Sequence, residues 1–150
     1  MIAELETEIG VEEKEMPSLN HSYICLQIIR QLLENPEIEP LPELTLDIDK
    51  GLTPDICVYP KAKIKPNFRR DITKFPDPPI IAIEVISASQ NIQDLLVKAD
   101  LLISHGVKAV WTIEPFTHTI FVTTRDSEEK LTNQIVSSEG ITVNFQQIFG

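Results

Sequence analysis

Apolar and polar residues repeat with two different periods along this chain, and the switches between them mark its elements. Ile24, Ile28, Ile29, Leu32 and Leu33 recur at spacings of one, three and four, which puts them on one stripe of a helix. Asn20 is a suitable cap for its start, and Asn35-Pro36 ends it, because the residue before a proline is pushed out of the helical region. Leu44, Leu46 and Ile48 then alternate with polar residues, the pattern of a half-buried strand closed by the turn pair Lys50-Gly51. Ile56 and Val58, alternating with Asp55, Cys57 and Tyr59, predict the next strand. Residues 79–87 form a largely β-branched apolar run between prolines and serines, which fits a buried central strand. A second helix carries Ile92, Leu95, Leu96, Ala99, Leu102 and Ile103 on its stripe, with Ser87 and Ser89 as caps and Gly106 as its stop. Residues 107–113, 118–124 and, more weakly, 131–136 read as strands, with 126–130 a charged turn. Ile141-Thr142-Val143 and Ile148-Phe149 close the chain. This order predicts an α/β fold, a mixed central sheet flanked by two main helices.

One residue interrupts the central run. With period-2 alternation Ile80, Ala82, Glu84 and Ile86 share one face of the strand, and Ile81, Ile83 and Val85 the other. A carboxylate there costs on the order of several kcal/mol of desolvation unless it is paired, protonated or bound to a metal. Asp55 opens its own strand behind Thr53-Pro54, which alone is ordinary turn chemistry. If the two strands are neighbours, Asp55 and Glu84 lie within reach of one ion, which offsets both their desolvation and their repulsion. Hard cations such as Mg²⁺ take one or two carboxylates together with water and substrate phosphate. Lys98 falls roughly 100° from the centre of the second helix's stripe, at its border. Its stem can lie along the sheet while its amine reaches Glu84. Asp94, one turn earlier, is spaced to hold it. A purely structural pairing of Glu84 with Lys98 or Arg30, with no ion bound, is the competing reading.

Composition changes this picture in three ways. The 150 residues suit one domain, and residues 1–16, with no sustained apolar period and five glutamates before position 14, read as an arm ahead of a single domain over 17–150. No run is long enough for a membrane span, and the acidic N-terminus is unlike a targeting signal, so a cytoplasmic location is expected. Cys25 and Cys57 stand singly in apolar segments and are expected as buried, reduced thiols, with neither a disulfide scaffold nor a zinc site. The net charge of −10 argues against nonspecific coating of nucleic acid. Its distribution is uneven, however, because Lys61, Lys63, Lys65, Arg69, Arg70 and Lys74 face a single acid, Asp71, in one loop. That loop is either a solvated surface or a phosphate-contacting one, with Tyr59, Phe68 and Phe75 able to pack or stack.

Taken in order, Pro54-Asp55, Glu84-Val85-Ile86-Ser87, Asp94-x3-Lys98 and Gly106-Val107 with Trp111 resemble the Uma-type restriction endonuclease family, a branch of the PD-(D/E)XK nuclease superfamily. The resemblance runs from about His21 to Ile148-Phe149. It implies a restriction endonuclease-like fold in which Asp55, Glu84 and the backbone carbonyl of Val85 hold Mg²⁺ or Mn²⁺, and Lys98 completes a catalytic set. The superfamily's usual lysine position is Ile86 here, and the branch resembles this chain in moving its lysine to the following helix. Leu102 and Ala109-Val110 depart from the family's aromatic and acidic preferences. His21 matches a histidine common in the family, and Asp94, Ser87 and His21 are implied to support the centre from outside it. The expected activity is hydrolysis of DNA phosphodiesters, with the basic loop on the flanking backbone and a homodimer to cut both strands. The alternative is a catalytically inactive binding or assembly module of the same fold.

Overall fold

The computed structural model describes residues 16–150; all of the predicted N-terminal arm except Met16 lies outside them. Helix α1 spans Leu19–Leu32 and buries Ile24, Ile28 and Leu32. Its cap is Ser18, not Asn20. Ser18 is extended and its Oγ accepts from the N–H of His21 at 3.2 Å, so the helix begins two residues earlier than a cap at Asn20 implies.

Strand β1, Ile38–Pro42, falls in a stretch to which the apolar pattern assigns no element, and it contains Pro40 and Pro42. It lies at the edge of the sheet, where a strand tolerates residues without an N–H on its open side. The strand predicted over residues 44–48 is not one. Glu43, at φ 50°, turns the chain after β1, and Asp49, at φ 52°, curls it back, leaving Leu46 with isolated bridges to Leu52 and Phe75. Leu46 and Ile48 are buried all the same.

The main sheet continues with β2 (Ile56–Pro60), β3 (Ile81–Val85), β4 (Ala109–Glu114), β5 (Thr119–Thr124) and β6 (Glu128–Thr132), in that spatial order. Only β3 and β4 are parallel, joined by the crossover helix α2, Ile92–Ser104. Asn91, whose Oδ1 accepts from the N–H of Gln93 at 2.8 Å, caps α2. Ser87 and Ser89 do not, and Ser87 is instead bonded to Gln90. Gly106, at φ 103°, ends the helix region as expected. The predicted charged turn is mostly β6, an edge strand whose Glu128, Glu129 and Lys130 face water and blunt the open edge. A separate hairpin pairs β7 (Ile135–Ser138) with β8 (Ile141–Asn144), and a last turn, α3, spans Gln146–Phe149.

The alternation along β3 sorts two cores. Ile81, Ile83 and Val85 join Ile56, Val58, Trp111 and Phe145 beneath α1 and the hairpin. Ala82 joins Cys57, Tyr59 and Val110 beneath Ala99 and Leu102 of α2. The two helices therefore cover opposite faces of the sheet. Among the described residues no helix is long and apolar enough to cross a membrane.

Candidate active site

The pairing of β2 with β3 sets Ile56 opposite Ile83 and Cys57 opposite Ala82, and the same register carried one residue further sets Asp55 opposite Glu84. The parallel pairing of β3 with β4 puts Thr112 beside Glu84 on the other side. Both carboxylates are almost wholly buried, at 4% exposure for Asp55 and 2% for Glu84. Each is met by a cationic or protonatable group. Asp55 Oδ2 lies 3.1 Å from His21 Nε2 and accepts from the N–H of Val85 at 2.8 Å. Glu84 Oε2 is in direct contact with Nζ of Lys98, whose side chain is largely buried. Thus α1 reaches Asp55 from one face and α2 reaches Glu84 from the other. Arg30, which the sequence also offers as a partner for Glu84, is exposed on α1.

The backbone adds a further donor. In an extended residue N–H and C=O point to the same edge, and the N–H of Val85 points to Asp55, so its carbonyl does too. The residue that the register places opposite Val85 is Pro54, which has no N–H to donate. The carbonyl of Val85 therefore lacks its ladder donor at the point where two carboxylates converge.

Beside this cluster a cleft of about 400 Å³ opens between the start of α1 and the ends of β3 and β4, lined by Ser18, Asn20, Ser87, Gln90, Glu114 and Phe116. Ser87 is locked to Gln90 Oε1 through both its N–H and its hydroxyl, each at 2.9 Å. Asp94 is exposed on the first turn of α2. Burial pulls the carboxyl of Glu114 upward, but the hydroxyl of Thr117 and the N–H groups of Phe116 and Thr117, with His118 nearby, outweigh it and hold it below the usual range.

The six basic residues of 61–74 are all exposed. Their loop leaves β2 at Pro60, the end away from Asp55, forms a short 3-10 turn over Lys61–Lys63, and folds back to pack Ile64 and Phe75 against the α2-side core. There it makes a groove of about 360 Å³ with Leu41 and Leu44. Tyr59 and Phe75 are committed to packing, edge to face at 5.2 Å, so Phe68, at 97% exposure, is the aromatic left to stack on a ligand. The hydroxyl of Tyr59 donates to the carbonyl of Asp77 at 2.7 Å, and burial pushes its pKa well up.

A family model described as "Putative restriction endonuclease", Uma2, matches residues 8–150. The chain belongs to the Uma2 family. A crystal structure of a "putative nuclease belonging to DUF820" from Anabaena variabilis ATCC 29413 shares its fold, with a TM-score of 0.77 at 21% identity over 92% of this chain and 84% of that one. Among curated proteins, none matches the chain. Uma2 membership and the nuclease fold together support a nuclease role.

One neighbour of the site in this Uma2 chain was not anticipated. His21 and Cys25 stand one turn apart on α1, and with Asp55 they form a group whose ligand atoms all lie within 4.8 Å of one another. Cys25 is half-buried, whereas Cys57 is buried as expected. The spacing of four was visible in the sequence; what it could not show is that Asp55 arrives beside that turn.

Proposed function

We propose that this chain hydrolyses DNA phosphodiesters with a divalent ion, Mg²⁺ or Mn²⁺, held by Asp55, Glu84 and the carbonyl of Val85. The observation that carries the reading is the strand register, which sets two buried carboxylates opposite each other with a lysine on one of them. The donor set suits a hard cation, being oxygen throughout: two carboxylates and a carbonyl freed by Pro54. When bound, such an ion polarises the phosphate and lowers the pKa of a coordinated water.

The chain's own groups do the rest. Lys98, in contact with Glu84, would orient the attacking water or meet charge developing on the phosphoryl oxygens. His21 holds Asp55 in place through their 3.1 Å contact. Ser87, fixed by Gln90, shapes the cleft, and Asp94 lies outside it near the N-terminal end of α2. The basic loop, Lys61, Lys63, Lys65, Arg69, Arg70 and Lys74, neutralises flanking phosphates, and Phe68 is placed to stack. A homodimer supplies the second centre needed to cut both strands. The domain that does this is residues 17–150, behind an N-terminal arm.

The deciding experiment is a thermal shift with Mn²⁺ on the wild type, Asp55→Asn and Glu84→Gln, followed by plasmid cleavage. At a hundredfold excess over Kd one bound ion adds about 2.7 kcal/mol, or roughly 5–10 °C in a domain of this size. The wild type gains this stability on adding Mn²⁺ and neither variant does, each variant being compared with its own metal-free state. No response to millimolar Mn²⁺ would sink the reading. It would leave the Glu84–Lys98 pair as a structural element of an inactive binding module.

A further inference from the structure

We propose that His21, Cys25 and Asp55 form a second metal site, selective for thiophilic ions of the Zn²⁺ class and sharing Asp55 with the carboxylate centre. His21 and Cys25 are four residues apart on α1, so their side chains stack on one face of the helix, one turn above the other. The end of β2 brings Asp55 against that face, with its Oδ2 3.1 Å from His21 Nε2. All three ligand atoms fall within 4.8 Å of one another. Tetrahedral Zn²⁺ with bonds of about 2.0–2.3 Å sets its ligand atoms about 3.3–3.8 Å apart, so closing the triad takes about 1 Å of side-chain rotation.

The donor types separate this site from its neighbour. Nitrogen, sulfur and carboxylate oxygen together suit Zn²⁺ or Co²⁺, whereas Mg²⁺ selects the all-oxygen set of Asp55, Glu84 and Val85. Cys25 is only partly buried, at the margin of the α1-side core. On binding, the thiol loses its proton to solvent and the sulfur–metal bond forms from the thiolate; three protein ligands leave a fourth position to water. No oxidant or reductant is involved. Because Asp55 belongs to both sets, a thiophilic ion withdraws it from the hard-metal centre, and the two ions compete. That competition rests on the proposed function, while the binding itself does not.

The test is a Co²⁺ titration of the full chain with its thiols reduced, read by the near-ultraviolet thiolate-to-cobalt band and by displacement with Zn²⁺. The wild type and Cys57→Ala give the band; Cys25→Ser, shown by circular dichroism to be folded, does not. Cys25→Ser also weakens Zn²⁺ binding by at least the roughly 10–100-fold that loss of a mere outer-shell partner costs. Glu84→Gln keeps the band. A wild type without the band, or a band that survives Cys25→Ser and disappears in Cys57→Ala, overturns the proposal. If Mn²⁺ fails to stabilise the protein yet the band depends on Cys25, the nuclease reading falls and this site stands.

Discussion

At the scale of single residues, the chain tolerates two carboxylates in its interior by giving each a different partner from a different helix. Removing one member exposes what the arrangement stores. Lys98→Ala leaves Glu84 buried beside Asp55 with no cation, and is expected to destabilise the fold by about 3–5 kcal/mol by urea denaturation. The double variant Lys98→Met, Glu84→Gln should recover most of that loss. Recovery distinguishes lost charge compensation from lost packing. Glu114 gives a pH signature. Its carboxyl titrates lower when folded than when unfolded, so the stability it contributes is present above the ordinary glutamate range and lost as pH falls through the depressed value. Measured against pH, the urea midpoint of Glu114→Gln should lie below that of wild type at neutral pH and converge with it in acid.

At the scale of elements, the long periodic segments were legible and the short special ones were not. Both helices and the β3 strand are decided by burial, and burial is what periodicity records. Glu84 stood out for the same reason, as the one charge in an otherwise apolar run. The β1 edge strand, by contrast, depends on its neighbours: two prolines forbid it in the middle of a sheet and permit it at the rim. The β6 strand likewise exists because β5 offers it an edge, against the preference of its own charged residues. The caps were misplaced by a few residues because Ser18, Asn20, Ser87, Ser89 and Asn91 are all competent cap residues, and only tertiary packing chooses among them. The turn at the other end of β2 is held by Tyr59. Tyr59→Phe removes the bond to Asp77 and should cost about 0.5–1.5 kcal/mol. Faster amide exchange over 61–77 would show that the loss is local.

At the scale of the whole molecule, charge is segregated: six cations sit in one exposed loop on a chain of net charge −10. Under the proposed function DNA is met along that loop, so binding should weaken steeply with salt. Substituting Lys65 or Arg70 by alanine should lower the slope of log K against log salt by about one each. A slope unchanged by either substitution would remove the loop from the interface. Sedimentation at low micromolar concentration tests the dimer, and a strict monomer that makes double-strand breaks would refute it.

The two helices lie on opposite faces of the sheet, and each sends one side chain through to the strand ends, His21 from α1 and Lys98 from α2. The centre is thus a conjunction: it exists only while both layers are docked at once. A chain emerging from synthesis, or one with either helix loosened, carries all the chemical groups and no working arrangement of them. Under the proposed function, completing the fold and arming the site are therefore the same event.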